Sequence, residues 1–421
     1  MSTLKELLKD VQVEWKDLDE ICNIVRGVTY NKSLEVSENG LKVLRANNIS
    51  VKHSELNFND IKQISIEAKV KSDQKLYKND ILISVASGSK EHVGKVAFIY
   101  ENIDYYFGGF MAVIRTSDKV FPKYAFQILK SKYFSEFLDA TLESSTINNL
   151  SNSVLKKFQI PIPYHNDPEK SLEIQKEIVR VLDGLSEQNK GLTIALAQEI
   201  DQRKKQYEYY REELFSFEGK EVEWKKISEI GTFQRGKRFV RTDMISEGIP
   251  CIHYGEMYTH YGTSAKEAKS FLNENLVSSK KLRVAEKNDV VIVAAGETIE
   301  DIGKGTAWLG DVGVVIHDAC FSYRSQLNPV YFAYFTRTIL FHDQIRRNIS
   351  SGKISAINEK GFNKVCIPVP TIQEQERIVR LLDQFDEASK SIVAQLEKEI
   401  ELRNKQFEYY RNLILSFPKE N

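Results

Sequence analysis

The amino-acid sequence predicts an α+β fold in which two globular domains, related by internal duplication, are each followed by a long helix. Three observations lead to this prediction. The two halves repeat the same motifs in the same order, the globular parts are rich in short apolar β runs, and the segment that closes each half has coiled-coil spacing. We expect the two helices to pair as an antiparallel coiled coil.

The repeat sets the domain boundaries. "VEWKDLDEI" at 13–21 matches "VEWKKISEI" at 222–230, and "KNDILIS" at 78–84 matches "KNDVVIV" at 287–293. Two copies of such long units indicate duplicated domains rather than a solenoid of short repeats. The predicted segments are a first globular domain, a first helix, a second globular domain and a second helix, at residues 1–168, 169–217, 218–371 and 372–421.

The globular parts combine strands with one recurring helical stretch. Runs such as "DILISVASG", "MAVIRT" and "DVVIVAAG" are β-rich, apolar and bounded by Gly, Asp or Asn. The helical stretch is predicted at 121–138 and again at 328–345. Pro122 and Pro329 lie at its start, where a helix tolerates proline. These elements favour α+β domains.

Each long helix carries apolar or aliphatic positions at alternating spacings of three and four residues. Both helices contain two successive four-residue steps at the same register, a stutter that locally unwinds a supercoil. Helices that share this irregularity are suited to pairing with each other, although periodicity alone also fits an ordinary dimerisation coiled coil. The predicted contact face comprises Leu182, Leu185, Asn189, Leu192, Leu196, Ile200, Arg203, Tyr207, Tyr210 and Leu214, with Leu382, Phe385, Ser389, Ile392, Leu396, Ile400, Arg403, Phe407, Tyr410 and Ile414.

The polar face of the helices is repeated as well. "RKKQYEYYREELFSF" at 203–217 returns as "RNKQFEYYRNLILSF" at 403–417, and several of the shared residues lie off the apolar face. Solvent alone does not require this match, so we predict a surface that is offered twice to the same partner. Its members are Glu208, Tyr209 and Arg211, together with Glu408, Tyr409 and Arg411.

Composition and missing motifs argue against several classes of function. The formal charge is zero, no apolar run approaches the length of a membrane helix, and the first ten residues mix leucine with charges, so we expect a cytoplasmic protein. The four cysteines are scattered without a C-x-x-C pair, which fits reduced thiols and no metal framework. "SGKIS" at 351–355 lacks the hydroxyl of a phosphate-binding loop, so we do not expect ATP hydrolysis.

Loops at related places in both halves have the composition of DNA-contacting segments. "FQRGKRFVR" corresponds to "IVRGVTYNK", and such cations and backbone amides suit phosphates. "SSTINN" and "SSGKISA" offer hydroxyl, amide and lysine groups for positioning a DNA backbone.

Two further pairs of loops diverge: "LRANNIS" faces "CIHYGEM", and "SVASGSKEHVG" faces "VAAGETIEDIG". Because Asn, His, Arg and Glu discriminate base edges, this divergence predicts two different half-sites. For any single residue the alternative is an ordinary solvated loop. The candidate DNA-binding residues are Arg26, Tyr30, Lys32, Arg45, Asn47, Asn48, Ser89, Lys90, His92, Thr146 and Asn148 in the first half, and Arg235, Lys237, Arg238, Arg241, His253, Tyr254, Glu297, Thr298, Ser351 and Lys353 in the second.

The order of "NDILIS", "IPIP" and "QKEIVRVLD", duplicated and each time closing in a long helix, makes the chain similar to the specificity subunit of type I restriction-modification systems. The resemblance covers essentially the whole chain. It implies two target recognition domains, each of which reads one half of a split site in double-stranded DNA. It also implies that the helices hold these domains apart and dock two methyltransferase subunits.

The same resemblance implies a non-catalytic chain without a cofactor of its own. S-adenosylmethionine, Mg and ATP are then expected in the partner subunits, which include restriction subunits with motor and nuclease activity. An alternative of another class is a coiled-coil adaptor that joins two protein-binding domains. That alternative predicts weak, salt-insensitive DNA binding and no methyltransferase partner.

Overall fold

The computed structural model describes residues 11–50, 54–143, 149–296, 298–350 and 355–418. These residues form two compact units, one comprising Met1–Ala195 with Lys398–Asn421 and the other Leu196–Glu397. Each unit contains one globular domain, the N-terminal part of the long helix that follows it and the C-terminal part of the other long helix. Helices and sheets occur in both units, which confirms the predicted α+β class.

Two sheets form the body of the first globular domain. The strand Ile81–Ser84 is buried at every position, as expected for an interior strand that is covered on both faces. In spatial order, the first sheet contains Cys22–Arg26, Met111–Thr116, Ile81–Ser84 and Val96–Phe98. The second contains Glu35–Val36, Lys62–Ile64, Leu41–Leu44 and Tyr106–Phe107, the last two of which are parallel. Val13–Asp17 pairs antiparallel with Gln159–Pro163 outside these sheets.

The second globular domain repeats this plan, but each of its two sheets has five strands instead of four. Its first sheet contains Gly231–Arg235, Cys320–Ser325, Val290–Val293, Gly305–Trp308 and Ser264–Ala265. Its second contains Met244–Ile245, Ser270–Leu272, Ile249–Ile252, Val314–Ile316 and Val284–Ala285. Two strand pairs lie outside them, Glu223–Lys226 with Cys366–Val369 and Ala295–Gly296 with Ser355–Ala356.

Each predicted helical stretch is in fact two short helices. Pro122 and Pro329 occupy the first turn of the leading helix, as predicted. The second helix of the later pair starts anew because the Thr338 hydroxyl accepts a hydrogen bond from the Phe341 amide. The short α-helices are Leu18–Ile21, Pro122–Ile128, Lys132–Glu143, Asn152–Leu155, Ile227–Ile230, Tyr254–Thr259, Glu274–Lys280, Pro329–Phe335, Ile339–Arg346 and Glu359–Phe362. The 3₁₀ turns are Lys32–Leu34, Ala46–Asn48, Ser72–Gln74, Lys90–His92, Arg241–Asp243 and Ile299–Asp301.

The duplication extends to buried polar contacts. The Tyr124 hydroxyl donates to the Pro161 carbonyl at 2.8 Å, and the Tyr331 hydroxyl donates to the Pro368 carbonyl at 2.9 Å. These two phenols are buried among apolar side chains at equivalent places in the two cores. A buried hydroxyl needs such a partner, so each core keeps both the ring and its acceptor.

The long helices are Pro168–Ser216 and Ile372–Ile414. In the first unit, Asn189 donates to Asn404 at 2.9 Å, while Leu182 packs in one core with Ile414. The two helix segments of this unit are therefore antiparallel. In the second unit, Tyr210 stacks on Phe385 with ring centroids 5.1 Å apart. A coiled coil along the full length of both helices remains a prediction.

The predicted helix face is wrong at one equivalent position of both helices, and Phe385 and Arg403 of the second helix are exposed as well. Leu192 is 50% exposed and Ile392 is 37% exposed, whereas Thr193 and Val393 are partly buried. The inward face follows four-residue steps from Asn189 to Thr193, one residue later than the apolar pattern suggested. Side-chain hydrophobicity alone did not reveal where this shift occurs.

Candidate nucleic-acid interface

Three predicted loops of the first domain line one open cleft of about 640 Å³. The cleft brings together Tyr30 and Lys32 from the first loop, Arg45 and Asn47 from the second, and His92 from the third. The loops are far apart in the sequence, so the fold creates this cluster. Hydrogen-bonding and cationic side chains therefore meet in one concave surface.

Close backbone packing holds the first loop in place. The Gly27 amide donates to the Met111 carbonyl at 3.0 Å, and the Val28 amide donates to the Phe107 carbonyl at 2.7 Å. A Cβ atom at Gly27 would collide with the carbonyl oxygens of Phe107 and Gly108. Glycine is thus required here for close approach, and Tyr30 follows directly on this anchored segment.

Arg45 and Asn47 are oriented by one aspartate. The Arg45 guanidinium donates to an Asp60 carboxylate oxygen at 2.8 Å, and the Asn47 amide reaches the same oxygen at 3.3 Å. Asn48 has a different role from the one predicted, because it is fully buried and donates to the Asn57 and Asn59 carbonyls. It holds the loop together and is not available for base contact in this conformation.

Electrostatics differ among the remaining residues of this loop pair. Burial and the neighbouring Glu35 raise the pKa of the Tyr30 phenol, against the opposing effect of Arg45. Lys32 is exposed and forms no ion pair within the described residues. Arg26 does not line the cleft: it ends a strand, and burial lowers the pKa of its guanidinium.

Of the three candidate DNA-binding residues in the third loop, one lines the cleft and two lie beside it. His92 lines the cleft, and its Nδ1 atom is buried without a hydrogen-bond partner among the described residues. Lys90 is paired with Asp139 at 3.3 Å, and the Ser89 hydroxyl lies 3.5 Å from a Glu91 oxygen. Of these three, His92 is the side chain that faces the cleft.

The fourth predicted segment joins this cluster through one β-bridge, between Ala86 and Asn149. In the second domain the corresponding contact is the strand pair Ala295–Gly296 with Ser355–Ala356. Thr298 immediately precedes the following 3₁₀ turn, and its hydroxyl donates to the Asp301 carboxylate at 2.5 Å. The predicted residues Thr146, Asn148, Glu297, Ser351 and Lys353 lie outside the described residues.

The basic loop of the second domain is anchored in the same way as the first loop. A Cβ atom at Gly236 would collide with the carbonyl oxygens of Ile316 and His317. Arg235 donates to the Asp318 carbonyl at 3.0 Å, and the Lys237 ammonium lies 3.4 Å from the Lys280 carbonyl. The loop's backbone and two of its cations are therefore held by neighbouring main chain.

The other two cations of that loop, Arg238 and Arg241, are exposed to solvent. They lie on either side of Phe239, which is fully buried. The buried ring fixes the loop while the flanking guanidinium groups remain accessible, an arrangement suited to phosphate contact.

His253 and Tyr254 belong to an aromatic cluster that includes a residue the sequence did not single out, His317. The His253 and His317 rings lie 4.5 Å apart, and Phe239 contacts both. His253 caps the helix Tyr254–Thr259 by accepting from the Gly255 amide at 3.3 Å. The cluster joins the basic loop to the divergent "CIHYGEM" loop.

Burial lowers the pKa of both histidines. For His253, the neighbouring His317 and Arg241 add to this effect, while Glu256 and Asp318 oppose it. His317 accepts at Nδ1 from the Ala319 amide at 3.1 Å, which fits a neutral ring protonated at Nε2. The Asp318 carboxylate lies 3.0 Å from the same nitrogen, but one nitrogen cannot also donate to it in this tautomer. Because their pKa values lie below the ordinary histidine value, His253 and His317 are both neutral near pH 7.

The predicted partner surface is exposed in both units, with one correction. Tyr209 and Tyr409 are 63% and 64% exposed, and each packs edge-on against the next tyrosine of its helix. Glu208 and Glu408 are exposed as well. The arginines do not share this exposure.

Arg211 and Arg411 are partly buried against their own units. Arg211 is bound to Glu212 at 3.1 Å, with 13% of its side chain exposed. Burial lowers the pKa of Arg411, and its Nε atom lacks a hydrogen-bond partner within the described part of the chain. These arginines are therefore not part of the exposed surface formed by the tyrosines and glutamates.

The described residues contain no group of His, Cys, Asp and Glu side chains arranged to hold a metal ion. None of their helices is both long and apolar enough to cross a membrane.

Phe110 and His317 were missed at the sequence level because each lies in a short turn without periodicity. Comparison of the aligned turns "GGF" and "HDA" would have drawn attention to them.

Comparisons with known proteins agree on one family. The family model described as "type I restriction modification DNA specificity domain" matches residues 11–202 and again residues 219–402. The chain is 34% identical over 301 residues to the EcoR124I/EcoR124II specificity subunit of Escherichia coli, with 68% of each chain covered. It is 28% identical over 432 aligned residues to a proposed type I restriction enzyme specificity subunit of Haemophilus influenzae, with 98% of each covered.

Two solved structures have a similar fold. One belongs to a study of complex assembly and conformational transition of the type I restriction-modification system; its TM-score is 0.72, and 96% of this chain and 97% of that chain are covered. The other is the HsdS subunit from Thermoanaerobacter tengcongensis, with a TM-score of 0.54 and 96% and 95% coverage. Sequence identity is 16% in both cases, so these similarities concern the fold.

Proposed function

Because the chain belongs to the family of type I restriction-modification DNA specificity subunits, we propose that its two recognition domains each read one half of a split DNA site. The observation that carries this proposal is the repeated loop cluster. Equivalent backbone positions are held in the same way at Gly27 and Gly236, yet the side chains around them differ. One scaffold with two sets of hydrogen-bonding groups suits two different half-sites.

The charges of the loops support a division between affinity and specificity. Exposed cations such as Lys32, Arg238 and Arg241 suit phosphates, which carry no sequence information. Arg45 and Asn47, which Asp60 orients, suit base edges because their hydrogen-bonding groups are held in fixed directions. This division predicts DNA binding that weakens steeply with salt but keeps its sequence preference.

We propose that the matched tyrosine and glutamate surfaces dock two methyltransferase subunits, one on each unit. The partners would use S-adenosylmethionine to methylate a flipped adenine in each half-site, and restriction subunits would use ATP and Mg for translocation and cleavage. This chain contributes sequence recognition, consistent with a specificity subunit rather than a catalytic one. A cytoplasmic location is part of the same proposal.

The direct experiment maps methylated adenines by single-molecule sequencing in cells that express this chain with the methyltransferase subunit of its system. Methyltransferase alone is the control for background. A split motif that appears only with this chain supports the proposal and identifies both half-sites and the gap. If the complex assembles without new methylation, the adaptor alternative replaces it.

A matched pair of variants assigns each half-site to a domain. Arg45→Ala alters the divergent loop of the first domain, and Tyr254→Phe removes a hydroxyl group from the divergent loop of the second; both residues are partly exposed. Each variant is expected to weaken or relax one half of the motif and to leave the other half intact. Equal effects on both halves would contradict separate reading by the two domains.

A further inference from the structure

The turn that precedes the strand Met111–Thr116 occupies the same backbone position as its counterpart in the second domain. In the first domain, the Val85 and Ala86 amides donate to the Phe110 carbonyl at 2.9 and 3.2 Å. In the second, the Ala294 and Ala295 amides donate to the Ala319 carbonyl at 2.8 and 3.3 Å. Phe110 and Ala319 are thus equivalent positions on equivalent main chain.

The side chains at this position differ in kind. Phe110 lines the cleft of the first domain and is 71% exposed. Its ring makes no aromatic contact within the described residues. Gly108 and Gly109 precede it, and a Cβ atom at Gly109 would come 2.8 Å from the Thr29 hydroxyl. The glycines let the turn lie close to the first loop, and the phenyl ring projects from it.

The surroundings of Phe110 identify its partner as DNA. The same cleft is lined by Lys32, Arg45, Asn47 and His92, whose groups suit phosphates and base edges. A large apolar ring set among such groups matches the exposed methyl group that thymine presents in the major groove. A protein partner would be expected to cover a wider apolar patch than one ring.

We propose that Phe110 is a specificity-determining residue that contacts a thymine methyl group in the half-site read by the first domain. This inference rests on the proposed function and deepens it. Ala319 presents only a methyl group at the equivalent position, while His317 stands where the first domain has Gly108. The turn therefore changes the chemistry offered to DNA between the two domains without a change in scaffold.

The test measures binding of the assembled chain and methyltransferase to duplexes in which single thymines of the motif are replaced by deoxyuridine, which lacks the methyl group. For the wild-type chain, one replacement in the first half-site should weaken binding about three- to fivefold, the range expected for one buried methyl group. Phe110→Ala should bind the thymine and uracil duplexes equally. Phe110→Leu should restore part of the difference.

Tyr100→Ala is the matched control, because Tyr100 is a 64% exposed aromatic residue of the same domain outside the cleft. It should retain the full thymine preference. The inference is overturned if no first-half thymine is sensed, or if Phe110→Ala senses it as strongly as the wild-type chain. If Phe110→Ala loses affinity by the same factor for both duplexes, relative to the wild-type chain, the thymine preference is unchanged. This result would indicate insertion between bases and would also overturn the inference. If the wild-type complex prefers no split site at all, the proposed function itself fails.

Discussion

Glu212, on the first long helix, accepts a hydrogen bond at 2.9 Å from the backbone amide of Ile339, the first residue of a short helix in the second domain. In the first unit, Asn412 of the second long helix accepts from the Lys132 amide at the same distance, again at a helix start. The first amides of a helix have no partner within it. In each unit, a side chain near the C-terminal end of a long helix therefore accepts a hydrogen bond from one such amide of the globular domain.

Glu212→Ala should lower the free energy of unfolding of the second unit by about 0.5–2 kcal/mol, the usual range for a lost helix cap. Glu212→Gln keeps an acceptor oxygen and should lose less. Glu213→Ala is the control, since Glu213 is exposed on the next position of the helix. Urea denaturation, with hydrogen exchange to separate the units, measures the effect. Equal stabilities of the Glu212→Ala and Glu213→Ala variants would rule out a capping role.

The duplicated ion pairs differ in exposure. Asp80 and Asp289 are both bound through two oxygens, but the Arg115 side chain is 23% exposed and the Arg324 side chain is 61% exposed. Arg115→Met should lower the free energy of unfolding by about 3 kcal/mol, because it leaves a buried carboxylate unpaired. Arg324→Met should lower it by about 1 kcal/mol, since water can replace the exposed guanidinium. Denaturant midpoints of the two variants test this order; a larger loss for Arg324→Met would contradict it.

The tyrosine surfaces make a prediction about assembly. Tyr209→Ala and Tyr409→Ala should each weaken binding of one methyltransferase subunit by about tenfold or more, as expected when an aromatic contact residue is truncated. The double variant should lose both subunits, as measured by analytical ultracentrifugation of the complex. Tyr100→Ala is the control, because Tyr100 has a matching exposure and lies outside this surface. This variant should assemble normally. Full assembly of the double variant would place the docking surface elsewhere.

The histidine pair predicts a pH dependence of stability. Because folding lowers the pKa of His253 and His317, the unfolded chain binds protons first as the pH falls. The stability of the second domain should therefore be complete above about pH 6.5, the ordinary histidine pKa, and should decline as the pH falls through the lowered values.

Replacement of both histidines by asparagine should reduce this decline, while His260→Asn, at an exposed histidine, should leave it unchanged. His342 also has a pKa lowered by burial and should account for part of the remaining slope. Denaturation at pH 7.5 and pH 5 compares the variants. An unchanged slope in the double variant would show that the pair does not control it.

Helix length should determine the number of unread base pairs between the half-sites. Deletion of seven residues from the middle of each long helix should change the preferred gap and preserve both half-sites, because the loops proposed to read DNA are untouched. Methylation mapping gives both quantities in one measurement. The same gap in the deleted and full-length chains would show that the helices do not set the spacing.

The sequence alone determined the duplication, the α+β class and the two long helices, because these features rest on periodicity and repetition that local residues carry. It also placed prolines at helix starts and identified Tyr209 and Tyr409 as a matched exposed pair. Hydrophobic period and helix-start chemistry act over a few residues, so they can be read without a three-dimensional structure.

The tertiary structure decided which loop residues face the cleft. Asn48 and Asn47 are neighbours of the same type, yet one is fully buried and the other is exposed, because only the packing of the loop onto Asn57 and Asn59 distinguishes them. Phe110 and His317 gain their importance from chain segments that lie far away in sequence. No local pattern encodes such contacts, since burial and orientation in an irregular loop depend on the chain that folds against it.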